Sequence, residues 1–126
     1  MNIPAELLYT KDHEWVVVEG DRAKLGITDY AQEALGDVVF VELHQIGETV
    51  SAGDVLGEVE STKSVSEIYA PLAGTIIEVN LALEDEPQLV NNEPYGEGWM
   101  VVLQLEDAAA AATLLTPAAY AELIEG

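Results

Sequence analysis

The sequence predicts a mainly β domain, a pseudo-symmetric sandwich with one short inserted helix and helices at the C-terminus. Three observations carry that prediction. Between residues 37 and 105, short apolar runs are punctuated by Gly47, Gly53, Gly57, Pro71, Gly74, Pro87, Asn91-Asn92 and Pro94, at roughly the spacing of a sandwich. The run Gly36-Asp37-Val38-Val39-Phe40-Val41-Glu42-Leu43 is echoed by Gly74-Thr75-Ile76-Ile77-Glu78-Val79-Asn80-Leu81, with glycine, paired β-branched residues, valine and leucine at the same offsets. Each copy is followed by a turn and a second apolar run, Gly53-Asp54-Val55-Leu56-Gly57-Glu58-Val59 after the first and Gly98-Trp99-Met100-Val101-Val102-Leu103 after the second.

The elements follow in order. His13-Glu14-Trp15-Val16-Val17-Val18-Glu19-Gly20 reads as a strand that turns at Gly20-Asp21 into its hairpin partner, Arg22-Ala23-Lys24-Leu25-Gly26-Ile27. The period then changes. Thr28-Asp29-Tyr30-Ala31-Gln32-Glu33-Ala34-Leu35-Gly36 offers an N-cap at Thr28 or Asp29, Gln32 three residues after Asp29 and a closing glycine, the signature of a helix of about two turns. From residue 37 to 105 the chain reads as strand and turn. Glu106-Asp107 then lead an alanine run through Ala112, with good helix propensity but little apolar surface. A further helix has Thr116 as N-cap, Pro117 at its first position and Leu115 placed to staple against Tyr120. Its Tyr120, Leu123 and Ile124 share a face expected to pack on the sandwich. A single domain over residues 1–126 is expected, with its helical segment at about 106–125.

Composition narrows the function. A chain of 126 residues buries roughly two thirds of its unfolded surface and needs no disulfide or metal to fold. The absence of cysteine removes disulfides, thiolate nucleophiles and cysteine-ligated zinc. No apolar run approaches the ~18 residues of a membrane span, and Met1-Asn2-Ile3-Pro4-Ala5-Glu6 lacks the basic start of a leader and the arginines of a transit peptide, so a bacterial-type cytoplasmic location is expected. Four basic side chains against 24 acidic ones give a net charge of −20, which phosphate backbones and anionic membranes repel. With 49% hydrophobic residues this is a folded core under an acidic coat, suited to fast, salt-sensitive encounters with basic surfaces. Ser61, Ser64 and Ser66 have no base or Gly-x-Ser-x-Gly elbow to activate them. His13 and His44 lie 31 residues apart with no third ligand at metal spacing, so neither independent catalysis nor a metal site is expected.

Lys63 is the informative residue. It stands in Glu60-Ser61-Thr62-Lys63-Ser64-Val65-Ser66-Glu67, between two strand-like runs and between the two copies of the echo. A lysine there is ordinarily a solvated turn residue. A cation meant to hold an anion, however, would not be ringed by Glu58, Glu60 and Glu67, and the symmetric setting favours a handle, a nitrogen to which a group is attached.

Four segments together resemble the H-protein family of the glycine cleavage system: Gly26-Ile27-Thr28-Asp29-Tyr30-Ala31-Gln32, Leu35-Gly36-Asp37-Val38-Val39, Val59-Glu60-Ser61-Thr62-Lys63-Ser64 and Asn92-Glu93-Pro94-Tyr95-Gly96-Glu97-Gly98-Trp99-Met100. The resemblance runs nearly end to end. It implies a hybrid barrel-sandwich of the lipoyl-domain type, with lipoic acid as covalent cofactor on Lys63 (N6-lipoyllysine). Glu60, Ser61, Thr62 and Ser64 would form the hairpin that a lipoyl ligase or transferase recognises. It further implies a non-catalytic carrier in glycine catabolism, whose swinging arm takes an aminomethyl group from the P protein (glycine decarboxylase) to the T protein (aminomethyltransferase) and is reoxidised by the L protein (dihydrolipoamide dehydrogenase). Positions that the family uses to dock the loaded arm fall on Glu14 and Glu67, with Asp12 nearby, while Gly26, Ile27 and Thr28 are expected to define the fold. Some relatives carry a histidine where this chain has Ala34, so its role does not carry over. Three alternatives stay open: a lipoyl-relay donor in protein lipoylation, a scaffold module, and a biotinyl or lipoyl domain of another complex. Biotin carriers, however, favour methionines where Thr62 and Ser64 stand.

Overall fold

The computed structural model describes residues 2–125; Met1 and Gly126, the two ends of the expected domain, lie outside the described residues. Among the described residues nine strands follow in chain order: β1 (Leu8–Tyr9), β2 (Glu14–Glu19), β3 (Arg22–Ile27), β4 (Val38–Leu43), β5 (Thr49–Val50), β6 (Val55–Ser61), β7 (Val65–Tyr69), β8 (Gly74–Val79) and β9 (Val101–Leu105). They form a six-stranded sheet of order β1-β2-β3-β9-β8-β5 and a three-stranded sheet of order β4-β6-β7, antiparallel throughout. The expected mainly β, two-sheet sandwich is what folds.

The echo in the sequence is an echo in structure. β4 pairs with β6 in one sheet and β8 with β9 in the other, and both pairs carry a register shift, between Val38 and Phe40 and between Ile76 and Glu78. Each shift falls on the second and fourth residues after the leading glycine of its copy, so the repeat preserves even the bulge that bends the strand. Alternation sends Val41, Val59 and Ile68 inward from the small sheet against Leu25, Ile76 and Leu103 of the large one, all buried. At about 1.5–3 kcal/mol per buried aliphatic side chain, this core suffices without a cross-link.

Helix α1 (Asp29–Leu35) forms where the caps indicated: the Thr28 hydroxyl accepts the Ala31 N–H at 3.2 Å, Gln32 donates to Asp29 at 2.8 Å, and Gly36 closes the helix at φ +83°. Between β8 and β9 the structure departs from the expected strand-and-turn reading. One-turn helices α2 (Ala82–Asp85) and α3 (Leu89–Asn92) occupy it, anchored by buried Leu83 and Val90 and lacking side-chain caps. A single turn is too short to display a helical period.

The alanine run also differs, winding as a 3-10 helix over Ala108–Thr113 that is capped by Asp107. Its small side chains offer no wide apolar stripe, and α-helical packing depends on one. α4 (Pro117–Glu125) has its N-cap at Thr116, which accepts the Ala119 N–H at 3.1 Å. Tyr120 stacks on Tyr9 at 4.7 Å in a second apolar cluster that includes Leu7, Trp15, Leu115 and Ile124. Leu123, expected on this face, is instead 46% exposed. α4 docks through its i, i+4 pair, which leaves Leu123 beside the contact. Among the described residues no helix is long and apolar enough to cross a membrane.

Gly57 sits opposite Leu43 in the β4–β6 ladder; a Cβ there would run into the Glu42 carbonyl oxygen and reach 3.0 Å from the Leu43 Cα. Backbone cannot swing aside as a side chain does. Gly57→Ala is therefore expected to destabilise the fold by about 2–3 kcal/mol, read as a lower urea midpoint at unchanged slope.

Candidate functional site

The β6–β7 hairpin is built by Ser61. Its N–H donates to the Ser64 carbonyl at 2.8 Å, while its hydroxyl oxygen accepts the N–H groups of Lys63 at 3.2 Å and Ser64 at 3.1 Å. Thr62 ties the turn to the chain beneath it, donating its N–H to the Asp37 carbonyl at 3.1 Å. Glu60 faces outward from β6, and Lys63 is exposed at the tip. The expected recognition residues Glu60, Ser61, Thr62 and Ser64 thus gather on one hairpin around the lysine. Serine serves here because its short hydroxyl reaches backbone two and three residues ahead.

The stem of Lys63 lies over Gly36, where a Cβ would come within 3.0 Å of its Cε. Gly36 therefore supplies both the left-handed turn that ends α1 and the clearance that the lysine needs. Asn91 holds this platform: its side-chain oxygen accepts the Val38 N–H at 2.8 Å and its amide donates to the Gly36 carbonyl at 2.8 Å and to Gln32 at 3.0 Å. Among the described residues Lys63 makes no ion pair. Of the acids expected around it, Glu58 and Glu67 stand in a cross-strand row with Glu42, Glu42 opposite Glu58 opposite Glu67, and Glu60 stands in the adjacent row between Phe40 and Val65.

A groove of about 310 Å³ begins at Ser64, one residue past the lysine, and runs between β7 and α1. Ile27, Tyr30, Ala34, Leu35, Val65 and Ile68 give it an apolar body, and Asp12, His13, Ser66 and Glu67 supply its polar atoms. A long, mostly aliphatic acyl arm on Lys63 fits such a trough. Asp12 and Glu67, two of the expected docking residues, both line it. Ile27 lines it as well, while Gly26 is pressed against Trp15 and Thr28 caps α1, the fold-defining roles expected of them.

Glu14 stands elsewhere. It lines, with Thr10 and Asp12, a separate cavity of about 380 Å³, and it is 1% exposed. Its carboxyl accepts the Tyr69 N–H at 2.7 Å and the Thr10 hydroxyl at 3.2 Å, fastening residues 10–14 to β7. Burial outweighs both bonds and pushes its pKa up to about 8. Next to it, His13 has φ +65°, a left-handed conformation costing about 1–2 kcal/mol for a residue with a Cβ. The His13 Nδ1 lies 2.9 Å from the Tyr120 hydroxyl, and burial lowers its pKa. His44 pairs instead with Glu48 at 3.1 Å. Sequence reasoning missed Asn91, Thr10 and the Tyr120 hydroxyl. Asn91 reads as a turn residue and Tyr120 as a core aromatic, while Thr10 carries no local signal.

A two-sheet sandwich that raises a lysine on a clamped hairpin beside an apolar trough defines the lipoyl-domain class of carrier folds. Within that class the chain belongs to the glycine cleavage H-protein family, whose model, described as "Glycine cleavage H-protein", matches residues 7–126. It is 52% identical to the glycine cleavage system H protein of Bacteroides thetaiotaomicron across all of both chains. It is 54% identical to that of Thermus thermophilus over 99% of this chain and 98% of the relative. The crystal structure of a glycine cleavage system H protein from Mycobacterium marinum matches with a TM-score of 0.89 at 46% identity, covering 98% of this chain and 100% of that one.

The raised pKa of Glu14 makes a stability prediction. A carboxyl that holds its proton more tightly when folded favours the fold below the ordinary carboxylate range and loses that contribution as pH rises through about 8. Glu14→Gln keeps an acceptor for the Tyr69 N–H, turns an amide donor instead of an acceptor toward the Thr10 hydroxyl, and cannot ionise. Between about pH 5 and pH 9 the melting temperature of the native chain should fall relative to that of Glu14→Gln; parallel curves would place the folded pKa in the ordinary range.

Proposed function

We propose that the chain is the aminomethyl carrier of the glycine cleavage system, with lipoic acid in amide linkage to Lys63. The clamped tip carries this reading: backbone bonds from Ser61 and Thr62 hold the turn rigid while the lysine nitrogen stays unpaired among the described residues. Bound there, the group would supply a dithiolane, a redox-active disulfide able to carry a one-carbon fragment on sulfur. Everything else falls to the chain, which is non-catalytic and provides display, recognition and shelter.

Display rests on the hairpin. Acylation removes the charge of Lys63, and an arm of single bonds of about 1.5 Å reaches on the order of 10 Å. One tip thereby serves the P protein, the T protein and the L protein in turn, and Glu60, Ser61, Thr62 and Ser64 present it to the lipoyl ligase or transferase. Shelter rests on the groove. Asp12 and Glu67 offer carboxylates to the ammonium of the loaded arm, charge-assisted contacts that slow loss of the amine to water. Glu14 contributes through its fixed bridge to Tyr69, which sets β7 and with it Glu67.

Incubation with lipoate, ATP and a lipoate ligase should add one lipoyl mass, placed on Lys63 by peptide mapping. Lys63→Arg should remain folded, take no lipoyl group and support no glycine–bicarbonate exchange with the P protein. Exchange at the native rate in that variant would sink the assignment. Separately, Glu67→Gln should be lipoylated normally while its loaded form releases ammonia several-fold faster, and equal lifetimes would remove Glu67 from the docking site.

A further inference from the structure

Thr28 is fully buried, and its hydroxyl has two neighbours: it accepts the Ala31 N–H at 3.2 Å, and the Tyr120 hydroxyl lies 2.7 Å away. No other acceptor among the described residues takes the Thr28 proton, so it goes to the Tyr120 oxygen. Tyr120 then directs its own proton to its second neighbour, the Nδ1 of His13 at 2.9 Å. The opposite direction would strand a buried hydroxyl proton. Nδ1 is therefore an acceptor, and the ring proton of neutral His13 sits on Nε2.

Nε2 has no protein partner, yet no buried side-chain nitrogen or oxygen is left unsatisfied among the described residues. It is accordingly open to solvent, on a residue that lines the groove. The backbone gives the ring little freedom: the His13 carbonyl accepts the Thr28 N–H at 3.0 Å, its N–H donates to Thr10 at 3.2 Å, and the ring lies 4.8 Å from Tyr30. β7 leads away from the tip at about 3.3 Å per residue, and the bond from the Tyr69 N–H to Glu14 sets His13 beside its far end. His13 lines the same groove as Ser64, the residue next to the lysine, so an arm leaving the tip can run along that groove toward the ring.

We propose that His13 is the binding residue for the sulfur end of the docked arm, its Nε2–H donating to a sulfur of the reduced arm and favouring the thiolate. This rests on the lipoyl attachment proposed above. The step is loss of a thiol proton to water, and no bond to carbon changes. Asp12, Glu67 and Tyr30 face the same space, and Glu14 lies behind it. The two groove carboxylates oppose a thiolate, and the Nε2–H donor offsets them. The same tautomer has no lone pair free for an ammonium, so the cargo amine is left to Asp12 and Glu67.

The experiment has two parts. In the unlipoylated protein carrying ¹⁵N-histidine, long-range proton–nitrogen correlation at neutral pH should show His13 with its proton on Nε2, and Tyr120→Phe should bring in the other tautomer. A native ring that is protonated on Nδ1, or charged, overturns the proposal, as does a tautomer that Tyr120→Phe leaves unchanged. In the lipoylated protein, verified by mass and reduced with a phosphine, thiolate absorbance is titrated against pH. His13→Asn, whose side chain tolerates positive φ, should raise the thiol pKa by about one unit, tenfold less thiolate at a given pH. Tyr120→Phe should raise it part of the way. Equal pKa values in the native protein and both variants overturn the proposal. A chain whose mass never gains the lipoyl group overturns the attachment itself, a failure distinct from the tautomer result.

Discussion

The carboxamide of Asn91 is the constraint on which the display of Lys63 depends. Three hydrogen bonds fix it to Val38, Gly36 and Gln32, joining the end of α1 to the start of β4. Each is worth only about 1 kcal/mol net, but together they immobilise residues 36–38, and the Asp37 carbonyl between them holds Thr62 of the tip. The lysine stem rests on Gly36, the middle of the same platform. A carrier needs a base that does not move beneath an arm that does, and this clamp stiffens the base without touching the nitrogen. Asn91 belongs to α3, in the stretch between β8 and β9 that breaks the echo between the two halves. The departure from symmetry is thus what supports the tip of the β6–β7 hairpin.

A second set of contacts governs the far end of the groove. Glu14 fastens residues 10–14 to β7, and the chain from Thr28 through Tyr120 to His13 joins the N-cap of α1, the C-terminal helix and the groove wall. Both devices spend stability locally, one by burying a carboxyl and the other by holding His13 at positive φ. Strain of this kind persists when surrounding bonds over-determine it, and the His13 backbone is held on both sides, by Thr10 and Thr28. The stacked Tyr9–Tyr120 pair beneath supplies the apolar contact that offsets it.

Most of the fold was legible because its signals are local. The caps of α1 and α4, the first hairpin and the repeated glycine-led strand each lie within about ten residues of sequence, where period and turn chemistry are read directly. One-turn α2 and α3, and the alanine segment that winds as 3-10, fall below the length at which a period shows. The site divides the same way. Lys63 and its serine-built turn are contiguous and were visible; Asp12 and Glu67 were reached through family resemblance. The Asn91–Val38 bond spans 53 residues and the His13–Tyr120 bond spans 107, and no periodicity encodes a pairing at that distance. Glu14 was reached through the same resemblance, but its burial follows from the docking of residues 10–14 against β7, which only the assembled sheets reveal.

The outer face of the small sheet shows how far function can shape a surface before the fold resists. Glu42, Glu58 and Glu67 stand directly opposite one another across three strands, like charges that each cost a few tenths of a kcal/mol. Beneath them Val41, Val59 and Ile68 are buried, at about 1.5–3 kcal/mol apiece. The apolar face outweighs the repulsion several-fold, so the charge of the outer face is not fixed by the needs of folding. Next to the acidic row, Phe40 and Val65 remain 47% and 56% exposed on either side of Glu60. A partner reaching for the tip therefore meets long-range attraction for basic groups and short-range apolar contact on the same three strands. Screening by salt weakens the first and leaves the second, so encounter rate and residence time on this face answer to different physical terms.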